Sequence, residues 1–188
     1  PMSREDAELM YKAGCREVWI GVESGSLAVH RAMGKGVTPD LIRKAFQYCK
    51  EMGLKRRAYV LMGHKQETYE TIRDTEHLID DIQPDTLSLS YLAPYPGTAV
   101  FNPAEHGDLD FEKVDEYGSE INPWHPDAMT KEQVLAERQR LFEKYRDHLS
   151  TIIKKKVEAG VIKVPDEFKR QIGVIAEDEI QLTDFDAD

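Results

Sequence analysis

Residues Ile20 to Gly36, IGVESGSLAVHRAMGKG, place a carboxylate, two serines and a glycine-flanked lysine directly after an apolar run. Glu23 and Lys35 could work as an acid and base pair. In a β/α barrel the loops at the carboxyl ends of parallel strands form the binding face, so Glu23, Ser24, Gly25 and Ser26 would line a pocket there. Gly25 allows a sharp turn or a close approach, while Gly34 and Gly36 would present the Lys35 cation on a tight loop. The same residues also suit an ordinary strand-to-helix connection with a solvated glutamate and lysine.

Positioning such a rim requires alternating strands and helices, and the sequence supplies them. Ser3 with Asp6 reads as a capping box, followed by a short helix through Leu9, Met10 and Ala13 that Gly14 stops. Val18 to Val22 reads as the first strand. Thr38-Pro39-Asp40 starts a helix whose Leu41, Ala45, Tyr48, Cys49 and Met52 fall on one face before Gly53. Ala58 to Met62 reads as a strand buried on both sides. A helix from about Glu67 to Ile82 follows, with Ile72, Ile79 and Ile82 at helical spacing and Pro84 as its stop. Thr86 to Leu92 alternates as a third strand. This repeated βαβ pattern demands parallel strands, so the fold class is α/β.

The pattern changes after Pro94-Tyr95-Pro96-Gly97. Residues 102 to 129 read as an irregular, ordered connection pinned by Tyr117 and Trp124. Residues 130 to 188 read as a helical extension: Thr130 and Gln133 open a long amphipathic helix with Val134, Leu141, Phe142, Tyr145, Leu149, Ile152 and Ile153 in its stripe, closing near Gly160. Lys154-Lys155-Lys156 suits the helix dipole, and Glu177 to Asp188 reads as a loose acidic tail.

Composition narrows the functional classes. With 35 acidic against 25 basic residues and a net charge of −10, the chain lacks a general affinity for nucleic acid or anionic membrane. Its two cysteines, Cys15 and Cys49, match no zinc or cluster spacing and suit a reducing cytoplasm. His30, His64, His106 and His125 are scattered without paired spacing and read as ordinary polar residues, not metal ligands. No apolar run nears the roughly 18 residues of a membrane span. The start at Pro1, inside a helix approach, leads us to expect a fragment of something longer.

Four strings, AGCREVWIGVESGS, MGKGVT, YVLMGHKQETYETIRDT and PYPGT, occur in that order and together resemble the second half of the radical S-adenosylmethionine (SAM) domain. The resemblance is strongest to the branch with an N-terminal cobalamin-binding domain. It implies a partial barrel over residues 1 to 101, whose three strands would be the fourth, fifth and sixth of six. It also implies that Glu23 and Ser24 lie beside the methionyl and ribose parts of SAM, that Lys35 faces its carboxylate, that Leu61 touches the adenine, and that Gly63 passes close to it. Glu67 and Thr68 match the end of the family's GxPGET turn, and suit a helix N-terminus equally well. Tyr91, Tyr95 and Thr98 would surround the substrate.

Two departures from the family's pattern stand out. The turn Gly63-His64-Lys65-Gln66-Glu67 replaces the usual Gly, apolar residue, Pro and Gly. The CxxxCxxC loop, whose three thiolates would hold a [4Fe-4S] cluster, is absent. In the parent family that cluster cleaves SAM to a 5′-deoxyadenosyl radical, and some members also use cobalamin for methylation or rearrangement. The resemblance therefore implies a chain that is inactive alone and binds SAM no tighter than about millimolar. The expected partner is the missing N-terminal barrel half, or a second copy joined through the Val18 to Val22 edge. Two other expectations stay open: a non-catalytic scaffold that retains the barrel half, and a β/α enzyme using Glu23 and Lys35 without SAM.

Overall fold

The computed structural model describes residues 2–115, 118, 121–148, 151–172 and 174. The Ser3 capping box forms as expected and opens helix α1 (Arg4–Lys12). Strand β1 (Glu17–Glu23) leads into a short helix α2 (Leu27–Ala32), which the sequence reading passed over as loop. Thr38 caps helix α3 (Pro39–Glu51), and strand β2 (Lys55–Met62), helix α4 (Tyr69–Ile82) and strand β3 (Thr86–Tyr91) complete the repeat.

The three strands form an open parallel sheet in the order β1-β2-β3, with Ile20 opposite Ala58 and Ala58 opposite Leu87. One face is the core. Val22, Ala58, Val60, Met62, Leu87 and Leu89 pack there against Ile42 and Phe46 of α3 and Ile72, Leu78 and Ile79 of α4. The buried stripe of α3 is Ile42, Ala45, Phe46 and Cys49, rotated from the expected Leu41 and Tyr48. Those four follow i, i+3, i+4, i+7 spacing, while Tyr48 and Met52 serve a second cluster with Ala7 of α1 and Val18.

The opposite face is open. Trp19 is 62% exposed on it, with the Arg57 guanidinium 4.8 Å from its ring centre and the Tyr59 ring centre at 5.9 Å. Glu17 accepts from both Trp19 Nε1 (3.0 Å) and Arg57 Nε (3.1 Å), so this layer is ordered although only one side of it meets protein.

Beyond β3 lie helix α5 (Pro103–His106), inside the segment expected to be irregular, and helices α6 (Lys131–Lys144), α7 (Thr151–Glu158) and α8 (Asp166–Gln171). The single long helix expected from Thr130 to near Gly160 is thus broken: α6 ends at Lys144 and a 3₁₀ turn spans Arg146–His148. Anchoring to α4 explains the stop, because Tyr145 is buried in the core and its hydroxyl donates to Asp80 (2.6 Å) while lying 3.1 Å from the Glu76 carbonyl oxygen. Leu149, Tyr117 and the acidic tail fall outside the described residues, as do the side chains of Ile152 and Ile153.

Arg140 and Lys144 both bond Glu76 at 2.7 Å and tie α6 to α4. The Arg140 hydrogen bond, helped by Lys144, holds the Glu76 carboxyl down at about 2. A depressed carboxyl stabilises the fold above its unfolded value, and that stability is lost as pH falls through the folded one. We expect Glu76→Gln to lose about 1–2 kcal/mol at pH 7, after discounting for solvent screening, and to match the parent chain near pH 2. Urea titrations at the two pH values check this; an equal deficit at both would show that the ion pairs contribute nothing.

Candidate functional site

At the carboxyl end of β1 the register shifts between Gly21 and Glu23, and Glu23 takes a left-handed backbone (φ 59°). Ser24 N–H donates to the Val22 carbonyl at 2.7 Å, closing a three-residue turn about Glu23. A non-glycine residue held this way is strained, and such strain concentrates at ligand sites. The turn folds the Glu23 carboxylate back over the open face: a Cβ on Gly21 would lie 2.7 Å from Glu23 Oε1. Lys35 Nζ meets the same oxygen at 2.5 Å, so the two residues expected to act together do stand together.

Ser24 is placed differently. It is fully buried, its hydroxyl lies 3.2 Å from Thr75 Oγ1 of α4, and its carbonyl faces His30 Nε2 at 2.7 Å. Gly25 N–H donates to Thr75 Oγ1 at 2.8 Å, and a Cβ on Gly25 would come within 2.1 Å of the Asp74 carbonyl oxygen. Ser24 and Gly25 therefore clamp the loop onto α4, leaving Glu23 as the side chain presented outward. Thr75 is the residue the sequence reading missed, its β-branched hydroxyl hidden in an otherwise apolar helix stripe.

Strand β2 delivers Leu61, half-buried, to the same open face. Gly63 follows with φ 93°, where a Cβ would touch the Tyr91 ring at 3.0 Å, so the close neighbour that requires glycine is a tyrosine. Gly63 N–H donates to the Glu67 carboxylate and its carbonyl accepts from Trp124 Nε1 at 2.6 Å. Tyr91 lies on the helix-facing side, completely buried, with its hydroxyl on the Trp124 carbonyl (2.5 Å). Tyr95 sends its hydroxyl to the Val114 carbonyl (2.9 Å), and Thr98 closes the Tyr95-Pro96-Gly97-Thr98 turn. The structure thus does not bring Tyr91, Tyr95 and Thr98 to one pocket: alternation sends Tyr91 to the core face, and the turn holds the other two to their own segment.

What does converge at the strand ends is a cleft of about 530 Å³, lined by Met33, Leu61, His64, Leu92, Val100 and Trp124 among others. Its walls are mostly apolar and its size is that of a small-molecule site. His64 is 97% buried by its 3% exposure, and burial drives its pKa down to about 4, so the ring is neutral at pH 7. Burial also pushes Glu67 up to about 7, against the Gly63 N–H that favours its ionised form.

Glu67 yields a pH signature. A carboxyl raised in the fold stabilises it below the unfolded value, and that contribution disappears as pH rises through the folded one, here from about 4.5 to about 7. Glu67→Gln keeps an acceptor for Gly63 N–H and removes the charge. We expect the variant to gain about 2 kcal/mol relative to the parent chain between pH 5 and pH 8.5 in chemical denaturation, from a shift worth roughly 1.4 kcal/mol per unit. A pH-independent difference would show that Glu67 does not titrate in this range.

The residues present do not fit an iron-sulfur cluster. Cys15 Sγ donates to the Glu17 carbonyl before β1, and Cys49 is buried on α3 beside Met2. Among the described residues no three His, Cys, Asp or Glu side chains group to hold a metal, and no helix is long and apolar enough to cross a membrane.

Three parallel strands with helices on one face, a strained carboxylate turn at the first strand end and a mostly apolar cleft beyond the second make up an open α/β sheet. Residues 1–79 match the sequence model of the Radical SAM superfamily. An uncharacterized methyltransferase of Pyrococcus horikoshii is 31% identical over 103 residues, 55% of this chain and 22% of that protein. The anaerobic magnesium-protoporphyrin IX monomethyl ester cyclase of Rubrivivax gelatinosus is 30% identical over 142 residues, 73% of this chain and 24% of that protein. The chain therefore spans under a quarter of the length of these two relatives. Among solved structures, the radical SAM enzyme coproporphyrinogen III oxidase (HemN) from Escherichia coli superposes with a TM-score of 0.58 at 17% identity, over 78% of this chain and 30% of that one. That likeness concerns the fold, and it agrees with an open three-stranded parallel sheet as part of the barrel.

Proposed function

We propose that this chain forms one wall of the SAM and substrate pocket of a radical SAM enzyme, with the rest of the barrel supplied by further polypeptide. The observation that carries this reading is the Glu23–Lys35 pair, held by a strained turn on the open sheet face that also presents Leu61. An ammonium and a carboxylate on one small molecule match Lys35 and Glu23 in sign, and the cleft suits an apolar ring. SAM supplies a radical or methyl group when bound; in this chain Glu23 and Lys35 orient its amino-acid end, and Leu61 packs against its base.

The ordered but uncovered Glu17, Trp19, Arg57 and Tyr59 layer supports completion of the barrel by an N-terminal half across the β1 edge, or by a second copy. The parent reaction, by likeness to the methyltransferase and cyclase relatives, is a radical rearrangement or a cobalamin-assisted methylation. The test is calorimetric titration of SAM into the chain alone and into the chain with three further βα units fused ahead of residue 1. Millimolar or weaker binding by the chain alone that tightens in the completed barrel supports the reading, and micromolar binding by the chain alone overturns it.

A further inference from the structure

His64 carries a ring nitrogen that the fold leaves unpaired. Its ring donates to the Leu61 carbonyl, and its Nε2 is buried without a hydrogen-bond partner. With Nε2 unpartnered, the donating atom is Nδ1, so Nε2 carries the bare lone pair of a neutral imidazole. A buried acceptor left unsatisfied is costly and calls for an explanation, and this one belongs to a residue that lines a cleft. The cleft it lines offers the flat, apolar walls of Met33, Leu61, Leu92, Val100 and Trp124. Lys65, Gln66 and Glu105 also line the cleft, and among its groups a neutral imidazole acceptor selects a hydrogen-bond donor.

We propose that His64 is a recognition residue whose Nε2 accepts a hydrogen bond from an amino group on a heteroaromatic ring seated in this cleft. This rests on the reading of the cleft as part of the SAM pocket, where the exocyclic amine of the purine is the donor. The selection is by hydrogen bond, since stacking and apolar contact alone would take any ring of similar size.

The experiment titrates the full chain, ¹⁵N-labelled at histidine, with adenosine and with purine riboside, which has the same ring system without the amine. We expect adenosine to bind about tenfold more tightly, a difference of roughly 1.4 kcal/mol. The His64 Nε2 resonance should move upfield with adenosine alone. His64→Leu should erase the preference, while His64→Gln, which keeps an acceptor, should retain part of it. Equal affinities in the parent chain, or an unmoved Nε2 resonance on saturation with adenosine, overturn the role of His64 and leave the cleft as a ring-binding site. Failure of both nucleosides to bind at about 10 mM, a free energy of under 3 kcal/mol, overturns the nucleoside reading of the cleft itself, and the proposal with it.

Discussion

Gly25→Ala is expected to be the most damaging single-methyl change in this chain. The added Cβ would sit 2.1 Å from the Asp74 carbonyl oxygen and 2.4 Å from its carbon, both backbone atoms of α4 that cannot swing aside. Relief requires moving the loop off the helix, which breaks the Gly25 N–H bond to Thr75 and separates Ser24 from the same hydroxyl. Overpacking costs about 1–3 kcal/mol and each lost hydrogen bond about 0.5–1.5 kcal/mol, giving roughly 3–5 kcal/mol in all. That is a large share of the roughly 5–15 kcal/mol available to a domain. Gly36→Ala is the control, because its Cβ meets nothing within 4 Å and its φ is not left-handed. In urea denaturation we expect a much lower midpoint for Gly25→Ala at unchanged slope, and a midpoint within error of the parent for Gly36→Ala. Coincident midpoints for the two variants would show that the Ser24–Thr75 clamp does not hold the loop.

The second large effect concerns affinity. In the chain alone Glu23 and Lys35 satisfy each other, with Glu23 17% and Lys35 41% exposed at the side chain. A zwitterionic ligand must insert into that pair, gaining two charge-assisted bonds of about 1.5–3 kcal/mol each against an association cost of roughly 4 kcal/mol or more. The net corresponds to millimolar binding or weaker. Covering the open face removes water from the rim and adds the contacts of the other barrel half, so the completed barrel should reach micromolar, about 8 kcal/mol. Within it, Glu23→Gln and Lys35→Met should each weaken SAM by roughly 10- to 100-fold, the loss of one charge-assisted bond. If neither variant changes the calorimetric Kd of the completed barrel, the pair is a structural clamp of the rim.

The pairing of Glu23 with Lys35 was legible from local signals. Glycine punctuation around a carboxylate after an apolar strand located Glu23, and GKG located Lys35 twelve residues later, because both depend on the local chain. Ser24 and Tyr91 were misread for opposite reasons. Ser24 sits in a rim motif, yet its hydroxyl finds Thr75 fifty-one residues away. Tyr91 sits at a strand end, yet period-two alternation turns it to the buried face, beneath a tryptophan thirty-three residues on. His64 was set aside as an isolated histidine, and only its position beneath Met33 and Trp124, from two distant segments, gives its bare nitrogen meaning.

The amino-acid sequence by itself determined the alternation of strands and helices, the capping boxes at Ser3 and Thr130, the parallel class of the sheet and the strand end that carries Glu23. These follow from periodicity, capping and turn chemistry, all of which act within a few residues. The tertiary structure decided which side of each strand faces the helices, where the α6 helix stops against Asp80, and which polar groups are paired within the fold and which stay without a partner. Those choices depend on partners far apart in the chain, whose hydrogen bonds and burial exist only once the sheet and its covering helices have packed.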